Sequence, residues 1–187
     1  MPVEHLLRTE PTVPHPGVEP PPFPSPTRPR SSRAEVFLGY LDHFRLTVAA
    51  KVDGLDEATL RRSVLPSGWT PLELVQHLTF VERRWLVWGI EGEPVEEPWG
   101  DSVEGRWHVD PATTAAELLA ALAAQGRISR AVVERHDLDD VGRPGPRWEG
   151  DPPATLERVL FHLLQEYARH VGHLDVVREL LDGAVGE

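Results

Sequence analysis

The sequence contains no cysteine among its 187 residues. Disulfides, cysteine nucleophiles and thiolate metal ligands are therefore excluded. If the protein carries out thiol chemistry, the thiol must come from a second molecule. The sequence also lacks any apolar run of about 18 residues, the length that a membrane-spanning helix needs. It therefore predicts no membrane segment and no membrane partner.

Positive charge is scarce as well. The chain has 19 Lys and Arg residues against 30 Asp and Glu residues, which gives a formal net charge of -11. Because binding to phosphates needs a basic surface, this balance argues against a nucleic-acid partner. The N-terminus, MPVEHLLRTEPTVPHPG, has no basic region followed by an apolar core, so no secretory signal is predicted. We expect a cytoplasmic protein.

Proline is concentrated at one end of the chain. Ten of the 19 prolines fall within residues 1–30. Such a segment cannot form a helix or a central strand, and its composition predicts a disordered, proline-rich tail. A proline-rich recognition segment is the alternative interpretation. Residues 31–187 are predicted to form a single folded domain.

Helical periodicity begins at Ser31, where apolar residues recur at spacings of three and four. Capping signals, among them the TPLE box at Thr70 and a glycine at position 183, mark the helix ends. No alternating pattern indicates a sheet, and residues 91–112 are interpreted as a long ordered loop. The prediction is an all-α four-helix bundle with a long crossover. Its long helices are expected at Ser31 or Ser32 to Val52, Thr70 to Gly89, Thr113 or Thr114 to His136, and Thr155 to Asp182.

The same periodicity assigns a face to individual side chains. His43 is expected on the solvent side of the first long helix. Trp85 and Trp88 are expected to face inward from the second. In the third, the polar residues Gln125 and Ser129 occupy inward positions.

Three residues of two helices suggest a metal site. In the stretch QEYARHVGH, Glu166 and His170 are four residues apart on the core-side flank of the last helix, so their side chains are neighbours. His77 occupies an inward position of the second helix. Burying these groups without partners would cost several kcal/mol, and a divalent cation removes that cost. Three protein ligands would leave coordination positions open for water or substrate, which is typical of catalytic metal sites.

Each of these residues also has a simpler interpretation. A single core-facing histidine such as His77 is more often a hydrogen-bonded core residue, and a Glu-x-x-x-His pair is mostly a surface ion pair. His173 is interpreted as a residue that supports the ligands or faces the substrate, with a solvated surface position as the equal alternative. The six tryptophans are interpreted as core and loop anchors. No catalytic nucleophile can be assigned.

The stretches GWTPLELVQHLTFVERRW (residues 68–85) and LLQEYARHVGHLDVVRELLDG (residues 163–183) resemble the DinB-like superfamily. More narrowly, they resemble its actinobacterial domain-of-unknown-function branch, once called mini-circle protein. The resemblance implies a four-helix bundle that holds a divalent metal with one ligand from the second helix and two from the last. At the matching positions stand His77, Glu166 and His170. Glu166 replaces the commoner histidine, as in the similar mycothiol-dependent maleylpyruvate isomerase.

The resemblance also implies a function. Better-understood members use small thiols such as mycothiol, and the metal stabilises the thiolate that attacks an electrophile. The expectation is a thiol S-transferase or isomerase whose partners are a thiol and an electrophile. Zinc is the favoured metal, with nickel, iron or manganese as alternatives. A metal- or ligand-binding stress-response protein without turnover, and a bundle whose polar groups only bond to one another, are the competing hypotheses. Related bundles often pair, so a homodimer is also considered.

Overall fold

The computed structural model describes residues 22–186 as a predominantly helical fold. The all-α four-helix bundle expected from the periodicity is confirmed. Residues 1–21 of the predicted tail lie outside the described residues. The helices are α1 (Arg33–Val52), α2 (Glu57–Leu60), α3 (Pro71–Glu82), α4 (Ala115–Glu134) and α5 (Leu156–Asp182), with a π-helix at Arg83–Ile90, a 3-10 turn at Pro146–Trp148, and strands β1 (Ser102–Val103) and β2 (Arg106–Trp107).

Side-chain caps set the first residue of each long helix. Thr70 and Thr114 form complete capping boxes, in which the threonine hydroxyl accepts from the backbone of Glu73 or Glu117 and the glutamate accepts in return. Ser32 and Thr155 cap α1 and α5 through one hydroxyl each. The capping signals in the sequence therefore located these four starts.

Four long helices enclose the core: α1, α3 with the π-helix that continues it, α4 and α5. Helix α1 packs against α4 and α5, and α3 packs against the same two helices from the other side. Burial of these apolar faces supplies the main driving force for the fold. Fully buried side chains from α1, α3, the π-helix and α5 include Leu41, Leu74, Leu78, Leu86, Leu160, Leu163 and Tyr167.

The second long helix changes from α-helical to π-helical geometry about halfway along its length. Helix α3 continues without a break into the π-helix, whose wider turns rotate the residues that follow. Leu86 and Ile90 are buried there, whereas Trp85 and Trp88 are only partly buried. Trp85 nevertheless packs against the core, as predicted. The prediction that Trp88 also faces inward was wrong, because it assumed a uniform α-helical period.

His43 is buried rather than solvated, so that prediction was also wrong. Its ring lies 4.9 Å from the ring of Phe23 and 5.5 Å from that of Phe44. Phe23 belongs to residues 22–30, a segment without helix or strand that the sequence assigned to the tail. The aromatic ring of this segment covers a face of α1 that appears polar from α1 alone.

A small hairpin stands within residues 91–112, which were expected to contain no strand. Strands β1 and β2 pair antiparallel, with Ser102 opposite Trp107. Glu104 and Gly105 both have positive φ, 51° and 75°, as a two-residue hairpin turn of this kind requires. Two residues per strand are too few to produce an alternating pattern.

None of the helices in the described part of the chain is long and apolar enough to cross a bilayer.

Candidate metal centre

Helices α3 and α5 bring the three predicted ligands to one place. His77 comes from α3, and Glu166 and His170 come from α5. Each offers a ligand atom that lies within 4.8 Å of the other two. Donor atoms that bind one zinc ion in a tetrahedral site lie about 3.5 Å apart. Small side-chain movements would therefore close this set around a cation.

The carboxylate of Glu166 lies between two histidines of its own helix. Its Oε2 is 3.2 Å from Nε2 of His170, and its Oε1 is 3.5 Å from Nε2 of His162. The hydrogen bond with His170 is the main cause of a lowered pKa of Glu166, and it outweighs the effect of burial. Nδ1 of His170 is buried and has no hydrogen-bond partner among the described residues. An ionised carboxylate beside an incompletely bonded imidazole suits a cation.

A buried carboxylate orients His77. Asp101, only 3% exposed, accepts a hydrogen bond from Nδ1 of His77 at 2.9 Å. Burial lowers the pKa of His77 and outweighs the opposing effect of Asp101, so the ring is neutral at neutral pH. With its proton on Nδ1, the ring keeps a lone pair on Nε2, the arrangement common in metal-ligating histidines.

Asp101 is itself held by Arg84 of the π-helix, whose Nη1 donates to Oδ1 at 2.7 Å. Burial alone would raise the pKa of Asp101, but the hydrogen bonds from His77 and Arg84 outweigh it and the pKa is lowered. Neither residue was predicted as part of the site. Asp101 lies 24 positions beyond His77, in a segment without periodicity, so no local spacing links the two.

Trp107 covers the imidazoles from the hairpin. Its ring stacks on His77 at 4.2 Å between centroids with an interplanar angle of 22°, and it meets His170 edge-on at 5.2 Å. The indole keeps water away from this side of the ligand set, which strengthens electrostatic interactions within it. The sequence predicted a loop anchor at this position but not its contact with the candidate ligands.

His173 stands at the rim and does not belong to the three-ligand set. Its ring is 5.8 Å from that of His170 and 6.4 Å from that of Trp69. The side chain of His173 is exposed. Its pKa is lowered, mainly by slight desolvation and to a smaller extent by the charge of His170. This position allows contact with a bound substrate.

A buried charged network lies beneath the site. Glu82, 0% exposed, accepts from Nε and Nη2 of Arg45 at 2.7 and 2.9 Å. It also accepts from the hydroxyls of Ser129 and Tyr167. Burial raises the pKa of Tyr167, which therefore remains a donor. Since Tyr167 directly follows Glu166 on α5, its hydrogen bond to Glu82 helps to set the rotation of α5 about its axis.

The sequence does contain a signal for this network. Arg45 stands four residues after the inward Leu41, and Glu82 four residues after the inward Leu78. Two opposite charges at inward positions of different helices indicate a buried ion pair, because neither would be tolerated alone. The expected inward position of Ser129 is confirmed.

A cavity of about 370 Å³ opens next to Trp107. It lies between the start of α3 and the hairpin, on the side of His173. Its lining residues are Ser67, Gly68, Trp69, Glu73, Gly105, Arg106 and Trp107.

Comparisons with known proteins agree with this architecture. A family model described as Mycothiol-S-transferase matches residues 36–183. No curated protein matches the chain. The crystal structure of a conserved protein from Enterococcus faecalis superimposes with a TM-score of 0.62 at 16% identity, over 83% of this chain and 100% of that one. At this identity the likeness concerns the fold alone.

Proposed function

This chain belongs to the mycothiol S-transferase family, and from that premise we propose that it is a metal-dependent enzyme which joins a mycothiol-type thiol to an electrophile. The observation that carries the metal part of the proposal is the convergence of His77, Glu166 and His170 within 4.8 Å of one another. The match to the mycothiol S-transferase family supports the part of the proposal that concerns the thiol. The absence of cysteine fits a reaction whose sulfur arrives with a cosubstrate.

The chain's own residues prepare the site for a cation. Asp101 holds His77 in the tautomer that presents Nε2, and Glu166 supplies a negative charge. Two imidazoles and one carboxylate suit zinc, nickel, iron or manganese, with zinc favoured. A divalent cation bound there would lower the pKa of a thiol that binds to it, and so supply thiolate near neutral pH.

The family match supports the reaction, and the residues around this set have roles in it. The thiol sulfur forms a bond to an electrophilic carbon while the bond between that carbon and its leaving group breaks, and the thiol proton passes to solvent or to the leaving group. Trp107 limits the access of water from one side. His173 is exposed at the rim, and in this proposal it contacts the substrate. Addition followed by release of the thiol would make the same site an isomerase.

Elemental analysis of the protein, purified without chelator, tests the metal. We expect about one divalent ion per chain, since the three ligands form one site. Consumption of mycothiol with a panel of electrophiles tests the reaction, and chelation is expected to stop it. Tight ligand binding without turnover of any thiol would instead identify a binding protein. Absence of a retained metal, together with unchanged thermal stability in chelator, would identify a bundle whose polar groups only bond to one another.

Asp101→Asn tests how His77 is oriented. The amide can turn its NH2 group toward Nδ1, which favours the tautomer with the proton on Nε2 and removes the ligand lone pair. We expect metal affinity to fall about 10- to 100-fold, measured by competition with a chromophoric chelator. Asp110→Asn, a change at an exposed position of the same connecting segment, is the matched control. Equal affinities of the two variants would refute the orienting role.

A further inference from the structure

A second cluster of side chains lies one helical turn before Glu166 on α5, on the side away from His173. It consists of Arg147, Trp85 and His162, and we call it the Arg147 cluster. We propose that it binds a carboxylate group of the electrophile, so that the second substrate is an elongated molecule with an anionic end. The inference rests on the proposed function, because it names the chemical class of the substrate that receives the thiol.

Arg147 is a partly buried cation without an anionic partner. Its guanidinium makes no hydrogen bond or ion pair with any described residue, and its Nε is buried without an acceptor. The fully buried arginines differ, since Arg45 and Arg84 each have a carboxylate partner at 2.7 Å. Burial, and to a smaller extent the charge of Arg84, lowers the pKa of Arg147, and Glu149 opposes this without outweighing it. A bound anion would compensate the charge of this guanidinium.

The guanidinium of Arg147 is held in place before any ligand binds. It lies over the ring of Trp85, 3.6 Å from the ring centroid, in a cation–π contact. The 3-10 turn that carries it is anchored by Trp148, which is 8% exposed and donates Nε1 to the carbonyl of Arg143 at 2.8 Å. The ring of Trp148 also lies 5.9 Å from that of Trp85. Little side-chain entropy is therefore lost when an anion binds.

His162 connects the Arg147 cluster to the candidate metal ligands. Its ring lies 4.7 Å from that of Trp85, and its Nε2 lies 3.5 Å from Oε1 of Glu166. The side chains of His162 and Glu166 are 38% and 27% exposed, so a molecule from solvent can lie along this path. Because each helical turn rises about 5.4 Å, a carboxylate at Arg147 stands on the order of 10 Å from a carbon that reacts at the ligand set.

The charges along this path favour a substrate with one negative charge. A guanidinium balances one such charge and donates two parallel hydrogen bonds to a carboxylate. Glu149 and Glu166 add negative charge nearby, which disfavours a phosphate monoester with two charges. A neutral molecule would leave Arg147 uncompensated. Arg147 takes no part in the bond changes: the sulfur bonds to the electrophilic carbon, the leaving group departs from that carbon, and the thiol proton passes to solvent.

The test compares an anion with a neutral molecule of the same length. Octanoate and octanamide are titrated into the full-length protein and followed by isothermal titration calorimetry, with and without chelator. We expect octanoate to bind about tenfold more tightly under both conditions, the effect of one charge-assisted contact. In Arg147→Gln the two affinities should be equal. Arg127→Gln, the same change at an exposed position of α4, is the matched control and should keep the wild-type preference.

Two outcomes of the titration would overturn the assignment. The first is equal affinity of the wild type for octanoate and octanamide, which needs no variant to interpret. The second is a preference for octanoate that persists in Arg147→Gln. If chelator abolishes that persisting preference, the carboxylate binds the cation instead of the guanidinium.

Turnover gives a second readout with a matched pair of electrophiles. Mycothiol is offered ω-bromo-octanoate or ω-bromo-octanamide, and in both reactions bromide leaves as the carbon–sulfur bond forms. We expect kcat/KM in the wild type to be about tenfold higher for the carboxylate, and the two values to be equal in Arg147→Gln. Preferential binding of octanoate through Arg147 without consumption of thiol with any electrophile would overturn the transferase and leave the carboxylate site standing.

Discussion

His170→Ala is expected to yield a folded protein that retains almost no metal and transfers almost no thiol. The substitution removes one of three ligands and leaves His77 and Glu166, which come from different helices. Removing a residue that only orients a ligand weakens metal binding by roughly 10- to 100-fold. Removing a ligand itself should weaken metal binding by more than that. Because a bound cation contributes several kcal/mol to such reactions, kcat/KM should fall about 1000-fold.

Two quantities are measured for each variant: the metal content per chain and the rate of mycothiol consumption. His136→Ala is the matched control, since His136 is a histidine of the surface that contacts Glu91 and Asp140 instead of the site. This control should keep both metal and activity. Equal metal content in the wild type and in His170→Ala would contradict the assignment of His170 as a ligand.

Glu82→Ala is expected to destabilise the fold more than any exposed carboxylate replacement. It removes the buried partner of Arg45, itself 7% exposed, which then keeps only the ion pair with the partly exposed Asp42. It also removes the acceptor of the Ser129 and Tyr167 hydroxyls. Breaking a buried pair from one side costs about 3–5 kcal/mol. For a chain of this length, the midpoint of thermal unfolding should fall on the order of 10 °C.

Two comparisons identify the cause of that loss. Glu134→Ala removes an exposed ion-pair partner of Arg130 and should change the free energy of unfolding by at most about 0.5 kcal/mol. The double variant Arg45→Met/Glu82→Leu removes both buried charges and should regain part of the stability. A midpoint for Glu82→Ala equal to that of Glu134→Ala would show that the network does not stabilise the bundle.

Residues near one another in the chain were the ones that sequence reasoning placed well. Caps such as Thr70 and Gly183 act within one helical turn, so they are visible in a window of a few residues. The pairing of Glu166 with His170 follows from helical spacing alone. Errors arose where a local period changed, as at Trp88 in the π-helix, or where a distant segment covered a surface, as Phe23 covers His43.

The sequence by itself determined the bundle and the limits of its long helices, because helical periodicity and capping are local physical effects. Helical spacing together with the family resemblance singled out the three candidate ligands. The tertiary structure alone decided what surrounds those ligands. The contact of Asp101 with His77 spans 24 positions, and that of Glu82 with Tyr167 spans 85. Contacts of this kind depend on how a connecting segment folds back and how helices rotate against one another. Both depend on packing of the whole chain, which no short window of sequence specifies.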